Sequence, residues 1–180
     1  MKALLVKILR CLMLILVIVL TGLGCYIYEK TLAALWIPVG VGIVVAVVTL
    51  PLSKKWVWLT TVEGMGMNML CHVVCVGLIG YSLFLMGNYQ MAAPASTQEV
   101  TVTVLEKLIK EQEKKRKVGR HRYVSAGVRK EYFLKVAFEN GAIETLHVST
   151  ATYNKARKGK PKVLTLQKGG FGLPVITKGL

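Results

Sequence analysis

The sequence predicts a membrane α-domain followed by a small all-β domain: three transmembrane helices, then a four- to five-stranded open barrel of the SH3-like or OB-like kind. Three observations carry this expectation. Charge is segregated, because residues 11 to 87 hold only Glu29, Lys30, Lys54, Lys55 and Glu63, while Asn88 to Leu180 holds 18 of the 24 Lys and Arg and 7 of the 9 acids, a net +11. Hydrophobic residues make up 53% of the chain, above the roughly 45–50% usual for soluble domains, and the mean hydropathy is +0.51. The apolar pattern then changes from long uncharged runs in the first half to strict alternation in the second.

The predicted division is a membrane domain over 1–90, with helices at 11–28, 31–50 and 60–86, a linker at 91–98 and a basic β-domain at 99–180. Cys11 to Tyr28 is an uncharged run preceded by Lys2, Lys7 and Arg10. At about 1.5 Å per residue, such a run roughly crosses a hydrocarbon core of about 30 Å. Thr31 to Leu50, closed by Pro51, is a second run and Thr60 to Met86 a third. The opening also has the grammar of a secretory or lipoprotein signal ending at TGLGC. Gly22, three residues before Cys25, is not a branched apolar residue, and a second apolar run follows at once, so the first helix is expected to be retained.

Basic residues in short flanks resist translocation. Lys2, Lys7 and Arg10 before the first helix, with Lys54 and Lys55 between the second and third, predict a cytoplasmic N-terminus. After three crossings the β-domain would be periplasmic or extracellular, and the expected location is a bacterial inner membrane. Trp56 and Trp58 at one level, and Tyr26, Tyr28 and Tyr89 at the other, suit interfacial belts.

Within the third run, NMLCHVVC offers two readings. Gly64, Asn68, Cys71 and Cys75 fall on one stripe of a helix, matched on the first helix by Cys11, Ile15, Ile18, Gly22 and Cys25, and small, weakly polar residues let membrane helices approach closely. The alternative is a membrane-embedded cofactor or redox subunit using His72 with Cys71 and Cys75. A zinc site wants four ligands and haem usually two. His72 is the only membrane histidine, so helix packing is the expected role, with no metal and no cofactor. Glu63 is expected to be interfacial.

MAAPASTQ separates the halves. Beyond it, Val100, Val102 and Val104 alternate with Thr101 and Thr103, and Tyr132, Leu134, Val136 and Phe138 alternate with Phe133, Lys135, Ala137 and Glu139, the pattern of half-buried strands. Asn140-Gly141 predicts a tight hairpin turn with positive backbone angles, and AIETLHVS the returning strand. TATYNKARKGK reads as a turn or short helical turn, KVLTLQ as a fourth strand, and KGGFG as a glycine turn into a segment that Pro174 confines to an edge or a strand start. The segment from Tyr132 to Gly172 resembles the strand, turn, tyrosine and glycine pattern of small β-domains carried by transmembrane helices in uncharacterised bacterial membrane proteins. That resemblance spans residues 99–177 and implies a fold with no catalytic residues.

Lys110 to Lys130 holds nine basic residues and two acids, a net +7. A solvated hairpin tip is the plain interpretation. The functional one is a docking surface formed by Lys114, Lys115, Arg116, Lys117, Arg120 and Arg122, joined by Lys155, Arg157 and Lys158 of a second, acid-free run. Its expected partners are membrane lipid and a protein partner or membrane complex, with anionic lipid or polysaccharide as further candidates. Nucleic acid is not expected, since only Tyr123 and Tyr153 are interleaved with the cations to stack bases. An enzyme is not expected either. His121 and His147 are the only histidines of the second half, it has no Cys, and the whole chain has no Asp.

Overall fold

The computed structural model describes residues 2–119 and 122–180. It divides into two compact units, Met1–Ser96 with Gln167–Val175, and Thr97–Leu166 with Ile176–Leu180. Segment 167–175, expected within a β-domain spanning 99–180, therefore packs with the helices.

In the helical unit, α1 spans Lys2–Tyr28, α2 Trp36–Val48, a 3-10 turn Leu50–Trp56, α3 Val57–Thr60 and α4 Met65–Gln90. Leu4–Tyr28 and Met65–Gln90 are long and apolar enough to cross a membrane. The expected second helix differs. α2 has only 13 residues, about 20 Å at about 1.5 Å each, short of a core of about 30 Å. It then bends by 73° into Leu50–Thr60. Pro51 has no N–H to continue the helical ladder, which places the bend. At the other end, Thr31 forms a β-bridge with Val175, and the Leu32 N–H donates to the Pro174 carbonyl at 2.9 Å. This backbone bonding keeps Thr31 and Leu32 out of the helix expected to start there.

α1 and α4 run parallel: Arg10 Nε donates to the Trp58 carbonyl just before α4, and Gly24 lies against Tyr81 and Ser82. α2 runs antiparallel to α4, with Gly42 against Gly77 and Tyr81, and Thr49 against His72. The α1 face that meets α4 carries Val17 and Gly24, which are buried, while Ile15, Ile18, Cys11 and Cys25 are exposed. The part of the expected stripe from Cys11 to Gly22 is thus turned away by about one residue, or about 100° of helix, while Cys25 at its end still interacts with the Tyr81 side chain of α4. Gly22 has open space where a Cβ would stand, whereas a Cβ on Gly24 would lie 2.9 Å from Ser82 Oγ.

The second unit is built on a five-stranded antiparallel sheet in the order β3-β2-β1-β4-β5. β1 is Gln98–Val118, β2 Arg122–Phe138, β3 Ile143–Val148, β4 Pro161–Lys168 and β5 Pro174–Lys178, with α5 at Thr150–Lys155. β3 and β5 are its edges. Pro174 opens β5, where a missing N–H costs no ladder bond. Register puts Val102, Val104, Leu134, Val136, Leu146, Val148 and Leu164 on one face, and all are buried. The Asn140-Gly141 turn differs from expectation. Only Gly141 has positive φ, +80°, and Gly141 N–H donates to Phe138 O at 3.0 Å while Phe138 N–H donates to Ala142 O at 2.9 Å. This is a three-residue loop closed by a left-handed glycine.

β1 and β2 continue past the rest of the sheet. β3 pairs with β2 only over 132–137, and β4 with β1 only over 98–103. From Lys110 to Val118, roughly 30 Å at about 3.4 Å per residue, the β1–β2 ribbon is paired only to itself.

Candidate functional site

The basic ribbon is the first candidate. Its hairpin pairs Val118 with Arg122, Lys117 with Tyr123, Arg116 with Val124 and Lys115 with Ser125. Directly paired residues share a face and faces alternate along a strand. Arg116 and Arg122 therefore share one face with Val118 and Val124, while Lys115 and Lys117 share the other with Tyr123. Lys114 sits at the irregularity between Glu113 and Lys115, where two residues of β2, Ala126 and Gly127, face one of β1 and Gly127 has φ +101°. Arg120 and His121 lie outside the described residues. Every described residue from Lys110 to Lys130 is exposed, including Val118, Tyr123 (63%), Val124 and Val128. Glu111 accepts from Lys130 at 2.9 Å, and that partner holds the Lys130 ammonium above its ordinary range.

The second acid-free run lies in the same unit. Lys155 ends α5, and Arg157 and Lys158 are in the exposed turn after it. Lys160 and Lys162 follow in the same run, Lys162 being half-buried.

In the helical unit, the four residues expected to pack helices have different surroundings. Gly64 is exposed and caps α4 in extended conformation, φ −60° and ψ 122°. Asn68 is 3% exposed, but its amide works locally: it donates to Val62 O at 2.9 Å and Gly64 O at 3.1 Å and accepts from Thr60 Oγ1. It thereby organises the loop before α4. Cys71 is half-buried and Cys75 buried, with their sulfurs 4.0 Å apart as free thiols. His72 is 1% exposed. Its Nε2 lies 3.1 Å from Thr49 Oγ1, its ring meets Trp56 edge-on at 5.7 Å, and its Nδ1 has no hydrogen-bond partner. No group of three His, Cys, Asp or Glu side chains placed to hold a metal occurs among the described residues.

Among Pro38, Gly40 and Gly42 of α2, residues of a kind that can kink a helix or admit a neighbour closely, Gly42 makes the close approach, since a Cβ there would stand 2.5 Å from the Gly77 carbonyl oxygen. Two features escaped sequence reasoning. The first is its counterpart on α4, Gly80, where a Cβ would stand 3.3 Å from the Gly42 Cα. The G-x-x-G spacing of Gly77 and Gly80 was a signal, although Gly64, Gly66 and Gly87 dilute it. The second feature is Asn88, fully buried. Its Oδ1 accepts from Phe171 N–H at 3.0 Å, its Nδ2 donates to Leu173 O at 3.1 Å, and its carbonyl accepts from Gly170 N–H at 3.0 Å. Phe171 stacks on Phe84 with centroids 5.0 Å apart. A Cβ on Gly169 would lie 2.3 Å from Asn88, which is why this loop is glycine-rich.

Comparison with protein-family models, curated proteins and solved structures yields no match to this chain.

Proposed function

We propose that this protein is a non-catalytic bacterial inner-membrane anchor whose basic β-domain, an open barrel of SH3-like or OB-like kind, docks an anionic protein partner or envelope component outside the cytoplasm. The observation that carries the reading is the ribbon beyond Ile109 and Glu131, exposed on both faces and dense in cations. An isolated two-stranded ribbon is marginal in water, and its clustered cations attract anions. Such a projection suits contact with an external surface better than it suits stability.

The parallel course of α1 and α4 supports three crossings. If both helices cross in the same direction, the chain between them must return across the same thickness, and the bent α2 to α3 pair is the segment available for that return. Arg10 approaches Trp58, and the Lys54–Lys55 turn directly precedes that residue, which supports placing the basic flanks together on the cytoplasmic side. Alkaline phosphatase fused after Gly87 should be active. Activity of a cytoplasmic reporter at that point instead would overturn this orientation.

Docking is tested with the full chain in nanodiscs of zwitterionic lipid, mixed with separate vesicles rich in phosphatidylglycerol. Lys and Arg near an anionic surface contribute about 1 kcal/mol each. The Debye length shrinks from about 8 Å at physiological salt to about 3 Å at about 1 M. Co-sedimentation should be strong at low salt, vanish at high salt, and vanish when Lys114, Lys115, Arg116, Lys117, Arg120 and Arg122 are changed to Gln. Binding that survives both treatments would remove the ribbon from the mechanism. Salt-sensitive capture of an acidic protein by in-cell crosslinking, without vesicle binding, would select the protein partner.

The buried His72 Nδ1, which has no hydrogen-bond partner, favours one second reading, a membrane cofactor or redox subunit using His72 with Cys71 and Cys75. A Soret band or stoichiometric metal in the purified protein would replace the first reading with this one.

A further inference from the structure

The turn between α5 and β4 is fixed to the sheet at three points. Gly159 N–H donates to Val104 O at 2.8 Å, Val104 N–H to Lys160 O at 3.2 Å, and Lys107 Nζ to Ala156 O at 3.0 Å. The same Lys107 ammonium lies 4.2 Å from the Tyr153 ring centroid, so its charge is already engaged. Ser149 Oγ caps α5 by accepting from Thr152 N–H.

This scaffold frames a recess of about 230 Å³ whose lining includes Thr152, Lys155, Arg157, Lys160 and Lys162. A water occupies about 30 Å³ of liquid, so the recess has room for an anionic group together with part of the molecule that bears it. Its lining holds four cations and no carboxylate side chain. The sequence has no acid anywhere from Thr145 to Leu180. The ion pairs Arg129–Glu131 and Lys130–Glu111 both lie in the ribbon, and neither involves a recess cation. Thr152 Oγ1 donates to a Leu180 oxygen at 3.1 Å.

Lys162 shows the electrostatic cost. Register places it beside Val102 on the buried face of the sheet, and burial pushes its pKa below the ordinary lysine value. Four like charges around one concavity repel one another, and walls of low dielectric focus their field. An anion of more than one charge relieves both effects. Arg157 can offer a planar fork and the lysines point charges, the donor set used for phosphoryl oxygens.

We propose that this recess is a binding site for a phosphate group, either free or carried as the phosphomonoester of a lipid headgroup. The assignment goes beyond the ribbon docking reading: it gives Lys155 and Arg157, expected from the sequence to join the docking surface, to a separate phosphate site, and since recess and ribbon share no lining residue it does not depend on ribbon docking.

The test uses the full chain in neutral detergent, titrated with inorganic phosphate and with pyrophosphate, and followed by calorimetry and phosphorus NMR. Both probes should bind at one saturable site. K160Q/K162Q and R157Q should each weaken binding by about tenfold or more, the scale of a lost hydrogen bond to a charged group, with an unchanged far-UV spectrum and melt. The ribbon variant with Gln at Lys114, Lys115, Arg116, Lys117, Arg120 and Arg122 should bind both probes like the parent, so failure of ribbon docking and failure of this site are read separately. Vesicles containing phosphatidic acid, compared with phosphatidylglycerol vesicles of equal charge, distinguish the source. A preference for phosphatidic acid that K160Q/K162Q removes assigns the site to a lipid headgroup, and equal binding of the two vesicles with retained inorganic phosphate binding assigns it to a soluble phosphate compound. Absence of saturable binding by every probe, or binding unchanged in both recess variants, overturns the proposal.

Discussion

The loop around Asn88 and the β1–β2 ribbon use similar ingredients, polar residues and glycines at a turn, to opposite ends. Around Asn88 the side chain and carbonyl are engaged with the 169–173 loop, Gly169 is buried, and a single added Cβ would collide. In the ribbon, Gly119 and Gly127 have open space where a Cβ would stand, so only their positive φ, +80° and +101°, resists substitution, and every described neighbour is exposed. Substitution cost follows the number of atoms that must move and the polar groups left unpaired, so the first region determines stability and the second is free to be shaped by whatever it binds.

The comparison is tested hardest at the helix contacts. Gly42→Leu would force side-chain atoms into the Gly77 backbone, which has no rotamer to escape through, and should cost about 3 kcal/mol or more. Gly64→Leu, at an exposed cap, should cost far less. Melting of both variants in detergent checks this, and equal losses would refute the contact assignment.

Asn88→Leu comes next. It leaves the Phe171 N–H without its acceptor, at about 1–3 kcal/mol for an unpaired group shielded from water, while the Leu173 carbonyl keeps the Gly169 N–H at 3.0 Å. A lower melting temperature and faster hydrogen exchange in residues 169–173 are expected. An unaltered loop would mean that Phe84–Phe171 stacking alone holds it.

Replacing Cys71 and Cys75 together by Ala should cost about 1–2 kcal/mol, because the thiols make only a long contact and little volume is lost. A larger loss accompanied by the disappearance of a chromophore would instead support the cofactor reading.

The smallest effect belongs to the Lys130–Glu111 pair in the ribbon. Glu111 raises Lys130 above its ordinary 10.5. A raised folded-state value means the pair's stabilisation is fully present below the ordinary lysine pKa and is lost as pH climbs through the raised one. Both side chains are half exposed, so solvent screening leaves little to lose. Limited proteolysis of the ribbon should be nearly unchanged between parent and Lys130→Gln at neutral pH. The parent should become more sensitive only in strongly alkaline buffer, and a marked difference at neutral pH would show that the ribbon depends on this pair.

Strand patterns centred on Val100 to Val104 and Tyr132 to Phe138 were legible because one face of each is buried, which forces alternation. The ribbon's strand character was not legible. With both faces wet, nothing selects apolar residues at every second position, and charges obscure the period. The α1 contact face was ambiguous for another reason. Gly22 and Gly24 are both small, and only the position of the neighbouring helix decides which of them meets Ser82.

By itself, the sequence determined the order of the elements: long uncharged runs form helices, two of them long and apolar enough to cross a membrane, and the alternating, hairpin-punctuated half can bury one face only as a sheet. It also determined where the cations cluster. Tertiary structure alone decided that α2 starts late, after the Thr31–Val175 bridge, that Asn88 holds the KGGFG loop, and that Lys155, Arg157, Lys160 and Lys162 surround one recess. These outcomes depend on contacts between residues far apart in the chain. Local propensity and periodicity carry no information about such distances, because they describe a residue's near neighbours and not the surface that folding brings against it.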